Sequence, residues 1–539
     1  GLAKVNYTFP FVFSFADFSG NFSVQRKRFY AFDADIIRVS PQLTKQFNDI
    51  FGATLKYQYE RIRQFDATQE KDKASLNSMS FLLDDTQKAV ADTVFSLHTN
   101  KKNVSAKIKS LPPKWQKHPV VMYARFEWRI RNNLRDSALQ VLENYSTSAT
   151  HLSQPSKWAF RREALARDLM FDEEYARAYE ISSKHYLETG DTYAVLEWLS
   201  GYLALEKLKN TELALKHFKN FLLSVDAPIS LGRGFYWLGR TYEQQGKMDT
   251  AKQIYQIGAD RWETYYGLLA AEKVGLTADK TVLNTPNVSS WKEASFLTSS
   301  VFKAATLLFS ANQEVLAERF LTHLTETLSD HDVSRLVNFL EESKKPHELV
   351  MVAKRAASQS RVFPRPYFAI HPLVEMPQRI PPEMALAIAR RESEFYPKVE
   401  SPVGALGMMQ VMPKTAREVA KRLGLRYSSE RMLSDWHYNA RIGIAYLEEL
   451  SERYEGNPIL IAAAYNAGPS RADRWIELLG DPRNPKVDLV NWVESIPFEE
   501  TRNYVMRVAE SLPNYAVRLN KKSPDSFYLY LKGSTFLPL

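Results

Sequence analysis

The sequence predicts an all-α protein in which a long solenoid of helical hairpins precedes a compact helical domain. The chain has 539 residues, whereas an ordinary domain has roughly 100–200, so we expect several units. From about residue 30 to about residue 360, apolar residues recur at three- and four-residue spacing between short polar turns. A cluster of prolines then separates this stretch from a second helical region.

The first predicted domain, residues 1–290, contains a loose helical repeat. Trp158, Trp198 and Trp237 lie 40 and 39 residues apart, and the segment from Trp237 resembles a degenerate tetratricopeptide hairpin. It departs from the usual motif because Gly239 follows the Trp by two residues instead of four. Such hairpins stack into a superhelix, since none buries its apolar face alone. We expect core packing for these aromatic residues, with a concave binding surface as the alternative. The Phe-rich first 30 or so residues stay unassigned.

The strongest boundary is the proline cluster between residues 364 and 382. A continuous helix cannot run through it. The cluster consists of Pro364, Pro366, Pro372, Pro377, Pro381 and Pro382. We therefore predict a small helical linker domain at residues 291–365 and a third, helical domain at residues 366–539. Its first helix accommodates the paired prolines in its first turn.

The composition excludes several classes of protein. Hydrophobic residues make up 45% and charged residues 25% of the chain, as in ordinary globular proteins, so we expect neither a disordered nor a fibrous protein. No apolar run approaches the roughly 18 residues of a membrane helix. The absence of cysteine excludes disulfides, thiolate metal sites and a thiol nucleophile, and it suits an oxidising compartment. The chain begins Gly1-Leu2-Ala3 without Met, so we expect a processed or trimmed N-terminus.

The positive charge of the chain favours polyanionic partners. The formal net charge is +9 and the pI is about 9.2, which attracts nucleic acid, anionic lipid or acidic cell-wall polymer. The basic residues are spread along the sequence instead of clustered, and no nucleic-acid-binding motif occurs, so a nucleic-acid partner is not predicted. The alternative is that the charge serves only solubility.

A carboxylate lies on the apolar face of the helix that follows the prolines. Ala385, Ile388, Ala389 and Glu392 follow the i, i+3, i+4, i+7 spacing. Partial burial raises the pKa of such a carboxyl, as a general acid near neutral pH requires. The alternative is a structural Glu paired with an arginine such as Arg390 or Arg391.

The next segment is a glycine-containing loop that leads into Met-rich sequence. Gly404 and Gly407 allow the backbone to approach a ligand closely, and Met409 and Met412 supply an adaptable apolar wall. Lys414 then opens another helix.

Two further segments add polar side chains near predicted helix ends. Tyr465 lies in the turn that ends a small-residue helix, where its hydroxyl is placed to orient a carboxyl group. Glu500 and Tyr504 share one face of a later helix at i, i+4 spacing.

Four motifs in this order resemble the soluble lytic murein transglycosylases, whose catalytic domain is similar to goose-type lysozyme. They are Glu392-Ser393, the G-x-M-Q of Gly407–Gln410, the A-Y-N-A-G of Ala464–Gly468 and the E-T-R-x-Y of Glu500–Tyr504. The resemblance covers roughly residues 375–520. The upstream solenoid also fits, because the large members of the family carry a ring-shaped superhelical domain and a small linker domain.

The resemblance implies one catalytic residue, Glu392, as general acid and base. It also implies contacts of Ser401 with the substrate N-acetyl group and of Tyr465 with the catalytic carboxyl. The remaining substrate-binding residues implied by the motifs are Met409, Gln410, Met412, Asn466, Glu500 and Tyr504. Met408 stands where the family more often has Leu, a nearly isosteric exchange.

A single candidate acid favours a substrate that supplies its own nucleophile. Ordinary glycosidases use two carboxyl groups, whereas Glu394 and Glu400 are poorly placed in the sequence to act as a second one. The resemblance implies cleavage of the MurNAc–GlcNAc bond of peptidoglycan with formation of 1,6-anhydro-MurNAc, in the periplasm. No cofactor or metal motif occurs, so we expect neither.

Two other functions stay open at the level of sequence. A hydrolytic muramidase would need Glu500 or another acid as base, and a non-catalytic scaffold would bind glycan without cleaving it. Apart from peptidoglycan strands, the sequence leaves other cell-wall enzymes as possible partners. It does not distinguish action at strand ends from action within strands.

Overall fold

The computed structural model describes residues 83–277 and 290–533, together with the backbone of residues 23–26 and 35–38. The described residues are overwhelmingly helical, as the predicted all-α class requires. Contacts between Cα atoms divide the chain into two compact units, Gly1–Ser153 and Gln154–Leu539. This division lies inside the region predicted as superhelical, and the boundaries near residues 290 and 365 stay predictions. Of the helices in the described ranges, not one combines the length and apolar character that crossing a bilayer requires.

In the first unit, the described residues form a short strand pair and six helices. β1 (Ser23–Arg26) pairs antiparallel with β2 (Asp35–Arg38). β1 lies in the opening segment that the sequence left unassigned, whereas β2 lies at the start of the stretch predicted to be helical. The helices are α1 (Asp85–His98), α2 (Val104–Ser110), α3 (Pro113–Gln116), α4 (Pro119–Arg131), α5 (Arg135–Tyr145) and α6 (Ala149–Leu152). Their core includes Leu97, Val121 and Ala124, which are completely buried.

The second unit begins with helical hairpins. Its first helices are α7 (Pro155–Phe171), α8 (Tyr175–Ser183), α9 (Asp191–Tyr202), which continues as a π-helix (Leu203–Lys207), α10 (Thr211–Leu223), α11 (Pro228–Gln244), α12 (Met248–Ala259) and α13 (Tyr265–Lys273). α7 packs on α8, α9 on α10 and α11 on α12. Trp158, Trp198 and Trp237 are 0–1% exposed, so they are core residues of these hairpins. A Cβ on Gly239 would lie 2.6 Å from the Tyr255 ring. The absence of a side chain at this position therefore allows α11 and α12 to pack closely.

A second group of helices follows in the same unit. It starts with two 3₁₀ turns (Trp291–Glu293 and Ser295–Thr298) and continues with α14 (Ser300–Ser310), α15 (Glu314–Thr325), α16 (Asp330–Glu342) and α17 (Pro346–Ala357). Apolar side chains of α15, α16 and α17 form its core, including the fully buried Leu321, Leu336 and Val350.

The proline cluster contains only short elements, as expected, and a helical region follows it. The elements are α18 (Pro364–Tyr367), a 3₁₀ turn (Pro372–Glu375), α19 (Pro382–Ser393), α20 (Pro413–Arg422), α21 (Ser429–Ser434), α22 (Trp436–Arg453), α23 (Pro458–Ala467), α24 (Pro469–Leu479), α25 (Leu489–Glu494), α26 (Glu499–Arg518) and α27 (Phe527–Leu531). α19 and α23 both pack on α26. The long helix α26 therefore fixes the ends of two motif-bearing helices relative to each other.

Buried charges join the hairpin helices to this last region. The Glu494 carboxylate is fully buried and accepts two hydrogen bonds from Arg233 Nη2, of 2.6 and 2.8 Å. The Arg233 guanidinium lies 3.3 Å from the centroid of the Trp198 ring. Removing one member of a buried pair leaves an uncompensated charge, so these contacts hold the two regions in a defined arrangement.

Candidate active site

Glu392 lies in the last turn of α19, between a buried helix face and α26. Helix α19 begins with Pro382 as its first residue and ends at Ser393. Along its length Ala385, Ile388 and Ala389 are at most 1% exposed, so the face predicted to be apolar is the packed one. Glu392 Oε1 accepts a hydrogen bond of 2.6 Å from Tyr504 Oη.

The environment of Glu392 favours its protonated form. Burial raises the pKa of the Glu392 carboxyl to about 7, and the negative charge of Glu500 acts in the same direction. The Tyr504 hydroxyl and the positive charge of Arg391 oppose the shift, because both stabilise the carboxylate. A carboxyl with this pKa can donate a proton and take one back near neutral pH.

The glycine-containing loop passes close to this carboxyl, and its tight turn requires Gly407. The φ angle of Gly407 is 72°, in the left-handed region that favours glycine. A Cβ at this position would collide with the Met432 carbonyl oxygen and the Asn439 amide. The loop can adopt this path only with glycine here.

Side chains from three helices bind the backbone of the loop. Ser393 Oγ on α19 donates to the Met408 carbonyl at 2.7 Å, and Tyr465 Oη on α23 donates to the Met409 carbonyl at 2.7 Å. Asn439 on α22 accepts from the Met409 N–H at 2.8 Å. The loop is therefore held at fixed positions next to the end of α19.

Asn439 makes two further bonds with the same amide group. Its Nδ2 donates to the Leu406 carbonyl at 2.9 Å and to the Met432 carbonyl at 3.1 Å. The side chain is completely buried. Sequence reasoning missed this residue, because a polar residue within an amphipathic helix carries no local signal of its long-range partners.

Ser401 and Gln410 both stabilise the loop from within. Ser401 Oγ accepts from the Ala405 N–H at 2.9 Å, which leaves the hydroxyl proton free to donate. Gln410 Nε2 donates to the carbonyls of Val399 at 3.0 Å and Gly407 at 2.8 Å. In these two side chains, the Ser401 hydroxyl proton and the Gln410 carbonyl oxygen take no part in these bonds.

The two predicted methionines occupy different environments. Met412 is 43% exposed, so its side chain is accessible from solvent, and its place in a binding wall stays a prediction. The Met409 side chain is completely buried, and a Cβ on Gly443 would lie 2.8 Å from its Cβ. In this structure Met409 therefore contributes core packing and its backbone carbonyl, and its predicted contact with substrate stays a prediction.

Tyr465 and Asn466 bring the A-Y-N-A-G turn to the same place. The charge of Glu392 is among the causes that raise the pKa of the Tyr465 hydroxyl, after burial. The Tyr465 ring also packs against Tyr446, with centroids 5.4 Å apart, and sequence reasoning missed Tyr446. Asn466 Oδ1 accepts from Thr501 Oγ1 at 2.6 Å, which ties this turn to the start of α26.

The other carboxyl groups near Glu392 have different roles in the structure. Glu500 is exposed at the start of α26. Glu394 Oε1 is bonded to Lys354 Nζ at 2.5 Å, and Glu400 is exposed where the loop backbone pairs with Leu406. Of these three, Glu500 is the one whose charge affects the pKa of Glu392.

Comparison with known proteins identifies the domain that contains Glu392. The Transglycosylase SLT domain family matches residues 375–485. The soluble lytic murein transglycosylase of Escherichia coli K12 is 32% identical over 304 residues, which cover 55% of this chain and 44% of that protein. The Salmonella typhimurium protein of the same name is 46% identical over 125 residues, covering 23% of this chain and 19% of the relative. The chain thus spans less than half the length of these curated relatives.

A solved structure shares the fold over most of the chain. It is an inactive Glu-to-Gln mutant of the lytic transglycosylase Slt from Pseudomonas aeruginosa, which aligns with a TM-score of 0.57 at 20% identity. The alignment covers 90% of this chain and 81% of that one. At this identity the likeness concerns the fold alone. The resemblance inferred from the four motifs is confirmed: this chain carries a transglycosylase SLT domain and is similar to the soluble lytic murein transglycosylases.

Proposed function

We propose that this protein cleaves the β-1,4 bond between MurNAc and GlcNAc in peptidoglycan without consuming water. The observation that carries the proposal is Glu392, a carboxyl with its pKa raised to about 7 inside a transglycosylase SLT domain. The names of the curated relatives give the substrate class, murein, and the reaction class, lytic transglycosylation.

In the first step Glu392 acts as general acid. Its protonated carboxyl donates to the glycosidic oxygen, the C1–O bond of MurNAc breaks, and GlcNAc leaves with a free hydroxyl. Positive charge develops at C1. The carbonyl oxygen of the muramyl N-acetyl group stabilises that charge by bonding to C1 as an oxazolinium ion, and the Ser401 hydroxyl would orient the group.

In the second step the Glu392 carboxylate acts as general base. The C6 hydroxyl of the same MurNAc attacks C1 and displaces the N-acetyl oxygen, while its proton passes to Glu392. The product is a 1,6-anhydro-MurNAc end, and the enzyme returns to its protonated form. One carboxyl therefore performs both proton transfers, and Tyr504 stabilises it in the interval when it is negatively charged.

We propose that the binding cleft is formed by the residues around this carboxyl. Gln410 and Met412 would line the sugar site from the loop, and Asn466 and Tyr465 from the end of α23. Glu500 would face sugar or peptide groups from the start of α26. For Met409 we propose only a structural role, in which its backbone carbonyl accepts the hydrogen bond from Tyr465.

The charge and composition of the chain suit this substrate and a cell-envelope location. Peptidoglycan stem peptides carry carboxylates, which a chain of net charge +9 attracts. The absence of cysteine suits the oxidising periplasm. Other cell-wall enzymes are a second class of partner in this proposal.

Hydrolysis of the same bond is the second candidate, because one observation favours it. Glu500 is exposed and its charge raises the pKa of Glu392, so a second carboxylate lies near enough to interact with the first. In a hydrolase, Glu500 would activate a water molecule that attacks C1, and the product would carry a reducing end.

Mass spectrometry of products released from purified peptidoglycan tests the proposal. The protein should release fragments that are one water lighter than reducing muropeptides, and Glu392→Gln should release none. Glu430→Gln, an exposed carboxyl on α21, is the matched control and should behave like the unchanged protein. Fragments with reducing ends would show that the protein is a hydrolase. If the unchanged protein releases no fragments, the result would favour a scaffold that binds glycan without cleaving it.

A further inference from the structure

The turn that follows Glu392 has an unfavourable backbone conformation. Glu394 has φ 48° and ψ 38°, and Phe395 has φ 67°. Both lie in the left-handed region, which side chains with a Cβ rarely adopt and which helix ends usually assign to glycine. Two such residues in succession persist only where the surrounding structure holds them.

Part of that support comes from His371, which lies in the proline cluster. Phe395 is 2% exposed, and its ring stacks on His371 with centroids 5.3 Å apart. This contact fixes Phe395, but it leaves the carbonyl and carboxylate of Glu394 to be bound from elsewhere.

The remaining support comes from α17, which precedes the proline cluster. His347 Nδ1 lies 2.9 Å from the Glu394 carbonyl oxygen. A carbonyl can only accept, so Nδ1 carries the proton and donates. The His347 ring also packs against Tyr396, with centroids 5.1 Å apart.

A second residue of α17 binds the same turn. Lys354 Nζ lies 2.5 Å from Glu394 Oε1. Lys354 is seven positions after His347, so the two side chains project from one face of α17. Helix α15 adds a neighbouring contact, because Glu314 pairs with Lys398 at 3.2 Å. The helices of the predicted linker domain thus bind the turn after Glu392 by its backbone and by its side chains.

We infer that His347 and Lys354 are positioning residues that keep the Glu392 carboxyl in its partly buried site. The inference rests on the proposed function. Holding Glu394 in the left-handed conformation fixes the last turn of α19 against α26. If the turn relaxes, the carboxyl is free to move toward water, and the burial that raises its pKa is reduced.

The contact made by His347 requires only a proton on Nδ1. Nδ1 carries a proton in both the neutral tautomer required here and the imidazolium form. The charged groups around it are Glu318, which interacts with His347 and Glu394, and Glu348, its neighbour on α17. A substitution of His347 therefore tests the loss of this hydrogen bond, because the bond exists whether the ring is neutral or charged.

Substitutions of His347 separate positioning from simple stability. His347→Leu removes the donor, whereas His347→Asn replaces Nδ1 by an amide nitrogen that still donates to the Glu394 carbonyl. Lys354→Met removes the second contact at an exposed position, where failure to fold is not expected. His323→Leu is the matched control, because its side chain is 65% exposed on α15.

Two measurements on each variant test the inference. One is the pH profile of kcat and KM with peptidoglycan fragments, and the other is the pKa of Glu392 from the carboxyl ¹³C NMR signal, assigned with Glu392→Gln. We expect His347→Leu and Lys354→Met to lower kcat on the order of tenfold with KM unchanged, and to shift the pKa of Glu392 from about 7 toward its ordinary range. His347→Asn and His323→Leu should retain both values.

A purely structural role would give a different result. If His347→Leu lowers Tm but leaves both kcat and the pKa of Glu392 unchanged, the inference is wrong. The NMR titration decides this even if the unchanged protein releases no product, in which case the proposed function fails separately.

Discussion

The Tyr504 hydroxyl donates a hydrogen bond of 2.6 Å to Glu392 Oε1, so a residue on α26 binds the proposed acid at the end of α19. The Tyr504 side chain is almost completely buried. Because a hydroxyl donor stabilises the charged form of a carboxyl, it limits how far burial can raise the pKa. The Tyr504 hydroxyl is therefore well placed beside Glu392, which in the proposed mechanism loses and regains a proton within one turnover.

Tyr504→Phe is expected to raise the pKa of Glu392 above its value of about 7. The removed donor is charge-assisted when Glu392 is ionised, and such bonds contribute about 1.5–3 kcal/mol. Activity at neutral pH should fall on the order of tenfold or more, while the alkaline limb of the kcat/KM profile moves to higher pH. An unchanged alkaline limb would mean that the bond does not influence the acid.

Glu392→Gln is expected to stabilise the protein at alkaline pH. The folded pKa of about 7 exceeds the ordinary value of 4.5, so between these values the folded state keeps a proton that the unfolded state releases. The free energy of unfolding of the unchanged protein therefore falls as pH rises through this window. Glu392→Gln has no carboxyl to titrate at this position, so its free energy of unfolding should lack this decrease.

Denaturant titrations at pH 4.5 and pH 8 measure this effect. The variant and the unchanged protein should have similar stability at the lower pH. At the higher pH we expect a difference of about 1–2 kcal/mol in favour of the variant, after allowance for the partial exposure of Glu392. A difference that does not grow with pH would contradict the assigned pKa.

Asn439→Ala should destabilise the glycine-containing loop. It removes bonds to the Leu406 and Met432 carbonyls and to the Met409 N–H, and it leaves those buried groups unpaired. We expect a loss of about 2–4 kcal/mol in the free energy of unfolding, together with reduced activity. Asn144→Ala, at an exposed position on α5, is the control and should change either quantity little.

Local patterns in the sequence predicted much of the helical fold and the packed helix face that carries Glu392. The spacing of Ala385, Ile388 and Glu392 identified both the packed face of α19 and the carboxyl at its end. The proline cluster predicted the break before this helix. These predictions succeeded because helix periodicity and proline geometry are properties of neighbouring residues.

Contacts between distant segments could not be predicted in this way. The bonds of Asn439 reach back some thirty residues to the loop, and the pair of Arg233 with Glu494 joins positions 261 residues apart. Periodicity does not specify which helices meet. For the same reason, Met409 was expected in the binding wall, although the structure places its side chain against Gly443 in the core.

Digestion of peptidoglycan in H₂¹⁸O tests most directly the central claim that the sugar C6 hydroxyl, and not water, attacks C1. The proposed mechanism predicts 1,6-anhydro-MurNAc ends that contain no ¹⁸O, with release abolished by Glu392→Gln. Reducing MurNAc ends that carry ¹⁸O at C1, present from the earliest time points, would contradict it and would establish hydrolysis.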